Sequence, residues 1–281
     1  MKRKASESRL ATPYVIWSVL FIVVPLILIV FFSFTQQVDG RYVFTTANFE
    51  KFFNPMYFKV IRRSLVLALI STVLCLIVGY PTAYIISKAK PSKRGILLLL
   101  CILPMWMNFL LRTYAWSAIL GRNGFINTLL KFVGLSPVNI LYTDTAVLLG
   151  MVYNFLPFMV LPIFNSLSKM DSDLINAARD LGANSFQVFT KVIFPLSLPG
   201  VVSGITMVFM PAVTTFAISR LLGGGKFMLI GDLIEQQFTV VGDWNFGSAV
   251  SIFMMIIILI SMAVMSRFED ESDKEGGGLL F

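Results

Sequence analysis

The chain has 281 residues, of which 57% are hydrophobic and only 14% are charged. Soluble domains carry about 25% charged residues, so this composition excludes a soluble protein and indicates an integral membrane protein. The net charge is +8, with no histidine and two cysteines. The basic residues gather beside apolar segments, which is typical of membrane topology and not of nucleic-acid binding, and the cysteines are too few for a zinc site or a disulfide framework.

Six segments are long and apolar enough to cross the hydrocarbon core, which takes roughly 20 residues of helix. The first segment is too long to be a removable signal peptide, and it lacks the small-residue cleavage site of one. We therefore predict an all-α membrane domain over residues 13–267, between an N-terminal segment at 1–12 and an acidic tail at 268–281. The predicted spans are residues 13–34, 65–87, 95–120, 145–167, 198–219 and 246–266.

Lysine and arginine predict the orientation of these helices. Four basic residues precede the first span, and four more fill the loop at 88–94, which has no acid. Cytoplasmic loops are enriched in such residues, and the first helix usually dominates the orientation. We therefore predict that both termini and the loop at 168–197 are cytoplasmic.

The loop at 173–195 is more regular than a simple connection between two spans. Leu174, Ala177, Ala178 and Leu181 follow a helical spacing that would form one apolar stripe. Asp173 and Ser185 are candidate N-caps of two short helices. Gly182 suits the left-handed position between those helices. The pattern fits a surface shaped for a partner protein, but it also fits an amphipathic helix lying on lipid headgroups.

The end of the loop contains two prolines. Pro195 and Pro199 lack the N–H that a helix interior needs. We therefore expect them to separate the loop from the fifth membrane helix.

This loop resembles the EAA loop of the membrane subunits of binding-protein-dependent ABC importers. In that motif Glu-Ala-Ala is followed by three residues, Gly, nine residues and Ile-x-Leu-Pro. Here Ala177-Ala178, Gly182 and Pro195 match, while Asn176 takes the place of the glutamate. The resemblance implies the fold of a type I (MetI-like) ABC importer permease. It also implies that Asn176, Ala177, Ala178, Gly182 and Pro195 couple the chain to an ATPase.

Four further stretches resemble the spermidine/putrescine permeases of that family: residues 103–114, 153–162, 223–232 and 243–247. The resemblance implies one half of the translocation path of an ATP-driven polyamine importer in a bacterial inner membrane. The implied partners are an ATPase dimer, a second related permease and an extracytoplasmic polyamine-binding protein. The chain has no Gly-x-x-x-x-Gly-Lys-[Ser/Thr] loop, so we expect it to bind no cofactor, with ATP and Mg²⁺ held by the ATPase.

Aromatic and amide groups are candidates for a path that carries ammonium groups, because aromatic faces attract cations and amide oxygens accept hydrogen bonds from ammonium. Segment 229–245 contains acidic residues but no lysine or arginine. At the outer mouth of the path, these acids would attract a polycation. For each side chain an interfacial, packing or solvated role is the alternative. The candidates are Trp106, Asn108, Tyr114 and Phe216 in the spans and Asp232 and Glu235 outside them.

Arg112 is a cation inside the predicted third span. A charge at a helix centre costs about 2.5–3.5 kcal/mol on insertion scales. The side chain should therefore face a cavity or a partner, or else reach the outer interface by snorkelling. Because it would repel a cationic substrate, we expect Arg112 to serve structure or subunit pairing.

Other functions remain open at this point. An ABC permease for another small solute, such as an iron chelate or an oxyanion, would have a similar loop. A secondary transporter would show inverted repeats and intramembrane acids, and no Asp or Glu lies in the six predicted spans. An intramembrane enzyme is disfavoured because the chain lacks histidine.

Overall fold

The computed structural model describes residues 13–277, with side chains as far as residue 265, so the predicted N-terminal segment at 1–12 lies outside the described residues. Helices make up most of the described chain. In chain order the elements are α1 (Pro13–Ser33), β1 (Thr35–Val38), β2 (Arg41–Phe44), α2 (Ala47–Glu50), α3 (Pro55–Lys88), α4 (Pro91–Trp106), α5 (Phe109–Leu120), α6 (Phe125–Phe132), α7 (Asp144–Lys169), α8 (Ser172–Asp180), α9 (Ser185–Thr214), α10 (Ala217–Gly223), α11 (Ile230–Gln236) and α12 (Trp244–Gly277).

Within the described residues, five helices are each long and apolar enough to span a membrane, and a bent pair of helices provides a sixth span. The five are α1, α3, α7, α9 and the first part of α12, which is apolar as far as Met265. The prediction of a helical membrane protein is confirmed, and the predicted number of six spans is reached if the bent pair counts as one span. Two of the six predicted spans differ from the structure in their course.

The third span is broken, where the sequence predicted one helix over 95–120. Helix α4 ends at Trp106, and the chain resumes as α5 at Phe109 after a bend of 93°. Asn108 causes the restart, because its side-chain oxygen accepts hydrogen bonds from the N–H groups of Leu110 (2.9 Å) and Leu111 (3.3 Å). An asparagine that caps a new helix cannot also continue the old one.

The fifth span begins much earlier than predicted. Helix α9 is continuous from Ser185 to Thr214, and Pro195 and Pro199 lie inside it. The expectation that these prolines separate the loop from the membrane helix is therefore wrong. A π-helical turn at Phe189–Ile193 directly precedes Pro195. Pro195 therefore stands at the start of a regular α-helical stretch, where a missing N–H is tolerated.

Two compact units make up the described chain: residues 13–59 with 233–257, and residues 60–232 with 258–277. In the first unit, strands β1 and β2 form an antiparallel hairpin that pairs Thr35 with Phe44. The turn at Asp39-Gly40 has positive φ at both residues, as a type I′ hairpin turn requires. Two buried or half-buried amides hold the base of the hairpin, since both Asn48 and Asn245 donate to the Thr35 carbonyl (2.9 and 2.7 Å).

The second unit has its core where α7 packs against α9. Gly200 allows this close approach, because a Cβ at that position would lie 2.7 Å from the Pro162 carbonyl oxygen and 2.6 Å from the Ser166 Cβ. Met159 and Ile163 on α7 are fully buried. Helix α3 joins the same core, where the Tyr80 and Ser197 hydroxyls lie 2.8 Å apart. At the opposite end of α3, the Arg63 guanidinium forms an ion pair with the Asp144 carboxylate.

Candidate functional site

The first helix of the predicted coupling loop is α8. Its N-cap is Asp171, whose carboxylate accepts from the Asp173 N–H at 2.9 Å, so the prediction that Asp173 caps the helix is wrong by two residues. The two residues are both aspartates, and the apolar spacing alone did not distinguish them. Asn176, Ala177 and Ala178 all lie within α8.

The turn after α8 has the geometry that the glycine predicted. Gly182 has φ +84°, in the left-handed region that favours glycine. Its N–H donates to the Arg179 carbonyl at 2.8 Å, and the Ala183 N–H donates to the Ala178 carbonyl at 3.1 Å. These two bonds are those of a Schellman motif, which satisfies the last carbonyls of a helix and fixes the exit direction of the chain.

The helix that follows also begins with a defined cap. Asn184 and Gln187 form a reciprocal capping box, with each side-chain oxygen 2.9 Å from the other residue's backbone nitrogen. The N-cap is thus Asn184, one residue before the predicted Ser185. With caps at both ends, residues 171–187 form a rigid corner between two helices.

The corner buries one side and exposes the other. Ile175 is buried, in a pocket shared with Tyr84 and Ile193, and Val188 is also buried. Leu181 is 89% exposed and Phe186 is 74% exposed, and Leu174 is exposed as well. Ile175, which was not part of the predicted stripe, anchors the corner to the second unit. The predicted stripe instead contributes to an exposed apolar surface, which we call the corner surface (Leu174, Leu181 and Phe186).

Three predicted path residues lie around the break in the third span. Trp106 ends α4 with 75% of its surface exposed, and Tyr114 on α5 is also exposed. Asn108 lies between them, but its side-chain oxygen is already engaged in capping α5. The break thus lies between two exposed aromatic side chains. The Asn108 amide has a structural role that the sequence did not suggest.

A second break in the chain contains Phe216. This residue is exposed and lies between the end of α9 and the start of α10. The Ser219 hydroxyl lies 2.8 Å from the Phe216 carbonyl oxygen and 2.6 Å from the Asp232 carboxylate. Asp232 also accepts from the Leu229 N–H at 3.0 Å. The structure therefore links Phe216 and Asp232 through Ser219, and Asp232 holds the start of α11 in place.

The acids of segment 229–245 are not all without a cation, contrary to the expectation from the sequence. Asp243 forms an ion pair with Lys51 at 3.2 Å, although the two residues are 192 positions apart in the chain. A contact at that separation is invisible to a search of neighbouring residues. Glu235 lies on α11, partly buried.

A cavity lies between α7 and α9, at a place that was not predicted from the sequence. It has a volume of about 780 Å³ and combines apolar walls with amide and hydroxyl groups. Pro162 and Pro199 line it, and each lacks the N–H that would bond the carbonyl four residues earlier. These prolines were the available signal, since a freed carbonyl in a membrane must find a partner or line a cavity. Its polar side chains are those of Asn165, Ser166, Lys169 and Ser203.

Comparisons with known proteins agree with this geometry. The family described as "binding-protein-dependent transport system inner membrane component" matches residues 6–271. The spermidine/putrescine transport system permease proteins PotB of Haemophilus influenzae and Escherichia coli are each 41% identical over 256 residues, covering 89% of this chain and 90% and 93% of theirs. A crystal structure of a bacterial ABC transporter that imports the acidic polysaccharide alginate superposes with a TM-score of 0.80 at 17% identity, covering 95% of this chain and 96% of that one.

The match to the family extends over nearly the whole chain and includes the corner that carries the EAA-like motif. It excludes the secondary transporter and the intramembrane enzyme that the sequence had left open. The likeness to the alginate importer shows the permease fold. The 41% identity shows that the PotB proteins are nearer relatives of this chain than that importer is. The chain therefore belongs to the family of inner membrane components of binding-protein-dependent transport systems.

Proposed function

We propose that this chain is one of two permease subunits in an ATP-driven importer of spermidine and putrescine. The observation that carries the proposal is the 41% identity to PotB proteins over about nine tenths of both chains. The alginate importer shares the fold at only 17% identity, so it does not bear on the substrate. An importer of another small solute is the remaining alternative.

The corner between α8 and α9 is the proposed contact with the ATPase dimer. Residues 173–195 carry Asn176, Ala177, Ala178, Gly182 and Pro195, which match or replace the residues of the EAA motif. The corner surface offers apolar side chains that nothing within the described chain covers, which suits docking into a partner. ATP and Mg²⁺ bind to that ATPase, and its closure on nucleotide moves the corner.

The proposed substrate path uses aromatic and amide groups within the membrane. Trp106, Tyr114 and Phe216 are exposed aromatic side chains at two helix breaks, where they can attract ammonium groups by cation–π interactions. The cavity between α7 and α9 adds the amide of Asn165, which can accept hydrogen bonds from ammonium, whereas Lys169 at the end of α7 would repel ammonium from its own part of the lining. Asn108, Asp232 and Glu235 complete the path at its outer half.

The proposed orientation places the corner and both termini in the cytoplasm of a multi-pass inner membrane protein, with the permease domain over residues 13–267 and the acidic tail at 268–281. Clusters of basic residues at the N-terminus and at 88–94 support this orientation. The extracytoplasmic polyamine-binding protein then meets the opposite face, where Asp232 and Glu235 lie in the proposed topology.

The test is transport by the reconstituted complex. This chain, its second permease and its ATPase are placed in liposomes, binding protein and radiolabelled spermidine are added outside, and ATP is enclosed within. We expect ATP-dependent accumulation of spermidine that unlabelled putrescine reduces. If the binding protein stimulates ATP hydrolysis but no polyamine accumulates, the substrate is another solute and only the permease assignment stands.

A further inference from the structure

Arg112 is the one arginine of the described spans in which two guanidinium nitrogens, Nε and Nη1, are fully buried without a hydrogen-bond partner. The residue is only 8% exposed, and the three N–H groups on Nε and Nη1 have no acceptor among the described residues. Snorkelling to water, the alternative that the sequence allowed, does not fit this burial. These two nitrogens carry three of the five N–H donors of a guanidinium, and no described residue accepts from them.

The surroundings of Arg112 form a small pocket. Arg112 lies in the first turn of α5, and the pocket has a volume of about 170 Å³. Met107 and Leu111 form an exposed rim, with Leu111 66% exposed. The pocket therefore opens to the surface of the chain. In a membrane permease, such an opening faces lipid, another protein or the substrate path.

The depth of the pocket argues against a lipid headgroup. Tyr153 of α7 lines the same pocket and lies nine residues beyond Asp144, which is about 14 Å along a helix at 1.5 Å per residue. Half of a bilayer core is about 15 Å thick. With the predicted fourth span beginning at residue 145, this places the pocket near the middle of the core, where phosphate groups do not reach and acyl chains offer no acceptor.

The chemistry of the pocket also argues against the proposed substrate. A polyamine is a polycation, and a guanidinium with unpaired donors repels it. What neutralises a buried cation at this depth is a carboxylate, carried there by another membrane helix. No Asp or Glu lines the pocket, and no described residue accepts from the Arg112 Nε or Nη1, which points to a carboxylate of another chain.

We propose that Arg112 is a pairing residue between the two permease subunits, and that a carboxylate of the second permease enters the pocket lined by Leu111, Trp116 and Tyr153. The proposal rests on the proposed function only for the existence of that second permease. The planar guanidinium can bind a carboxylate through two parallel hydrogen bonds. The exposed rim then forms apolar contacts around the ion pair and excludes water and lipid from it.

The first experiment measures assembly. Arg112→Gln removes the charge and should weaken binding of the second permease by about 30-fold or more, as truncation of one partner of a buried interfacial charge pair does. Arg112→Lys retains the charge without the planar fork and should give an intermediate loss. Arg122→Gln is the matched control, because Arg122 is exposed, and it should leave binding unchanged. The readout is recovery of tagged second permease across a dilution series in detergent.

The second experiment leaves Arg112 intact. A photo-crosslinking p-benzoylphenylalanine at Leu111 should form a covalent adduct with the second permease, whereas the same residue at Ile85, an exposed position on α3, serves as a reference for the background of the method. An adduct only with phospholipid, or normal assembly of Arg112→Gln with impaired uptake, would overturn the proposal. The second pattern would make Arg112 part of an aqueous path.

These outcomes are distinguishable from a failure of the proposed function. If the wild-type complex carries no polyamine but still forms the Leu111 adduct, the proposed subunit contact stands and the proposed substrate is wrong. If the wild-type complex carries polyamine and the Arg112→Gln variant assembles normally, the proposed substrate stands and the proposed subunit contact is wrong. If Arg112→Gln is recovered only as aggregate, the crosslink at Leu111 in the unaltered background decides the matter.

Discussion

Single residues decide the geometry of the corner, and Gly182 is the clearest case. Its φ of +84° is reached easily only without a Cβ, while nothing lies within 4 Å of the position that a Cβ would take. The strain of a substitution at this site therefore comes from the backbone and not from crowding. Asparagine tolerates this conformation better than other residues with a side chain, and a β-branched residue tolerates it worst.

We predict that Gly182→Val uncouples the ATPase while Gly182→Asn largely retains coupling. The valine variant should insert normally, because the corner lies outside the spans, but its corner surface should point elsewhere. Co-purification of the ATPase and transport-linked ATP hydrolysis measure the effect. Equal coupling in both variants would contradict the role of backbone geometry at this turn.

Trp106 tests the proposed path at the residue scale. Trp106→Ala should lower spermidine uptake about fivefold, since a cation–π face contributes about 1 kcal/mol, without a change in thermal stability, because the side chain is exposed. Trp17→Ala on α1 removes an equally large, exposed ring and is the control. Equal effects of the two substitutions would identify Trp106 as membrane surface.

The two acids of the proposed mouth should behave differently. Asp232 accepts from Ser219 and from the Leu229 N–H, so Asp232→Ala should lower stability by about 1–3 kcal/mol by leaving those donors unpaired. Glu235→Gln should instead weaken uptake mainly at low ionic strength, where a charge at the mouth attracts cations best. Thermal unfolding in detergent measures the first effect, and uptake over a salt series measures the second. Unchanged stability of Asp232→Ala, or uptake by Glu235→Gln that is lowered equally at all salt concentrations, would contradict these expectations.

At the scale of elements, the packing of α7 against α9 depends on the absence of a side chain at Gly200. Gly200→Ala should destabilise the protein by about 1–3 kcal/mol, because its Cβ would meet the Pro162 carbonyl. Gly95→Ala in α4 has open space around the new Cβ and should be neutral or slightly stabilising. Thermal unfolding in detergent compares the two. Equal stability would contradict the close approach of these helices.

The elements also show what the sequence could and could not predict. The spans follow from apolar length, and the turn at Gly182 follows from a glycine at the end of a helical stripe. The break before α5 was missed because Asn108 looked like a polar group for substrate, whereas its oxygen caps a helix. The continuity of α9 was missed because Pro195 is normally a stop, and a π-helical turn before it changes that outcome.

The long-range contacts lay beyond the reach of sequence patterns. The ion pair between Lys51 and Asp243 and the cavity around Asn165 depend on residues that meet only after folding. Local spacing describes one helix at a time. It says nothing about which helix packs beside it or which group a distant loop supplies.

At the scale of the whole molecule, the orientation can be measured directly. In a background with Cys75 and Cys101 replaced, Leu181→Cys should react with an impermeant thiol reagent only from the cytoplasmic side, and Asn123→Cys only from the outside. Both positions are exposed, unlike Asn127, whose buried amide bonds the Gly121 and Val138 carbonyls. Inside-out and right-side-out vesicles give the comparison. Reversed accessibility would overturn the orientation and the ATPase contact together.

The unbroken course of α9 has a mechanical consequence. Its 30 residues amount to a rod about 45 Å long at 1.5 Å per residue, with the corner at one end and the Thr215–Phe216 break at the other. The helix contains Pro195, Pro199 and Pro211 and a π-helical turn at Phe189–Ile193, which are the places where it would bend. A tilt of the whole helix by about 10° would displace its far tip by about 8 Å over that length. In the proposed complex, a small movement of the corner would thus become a larger movement at Phe216.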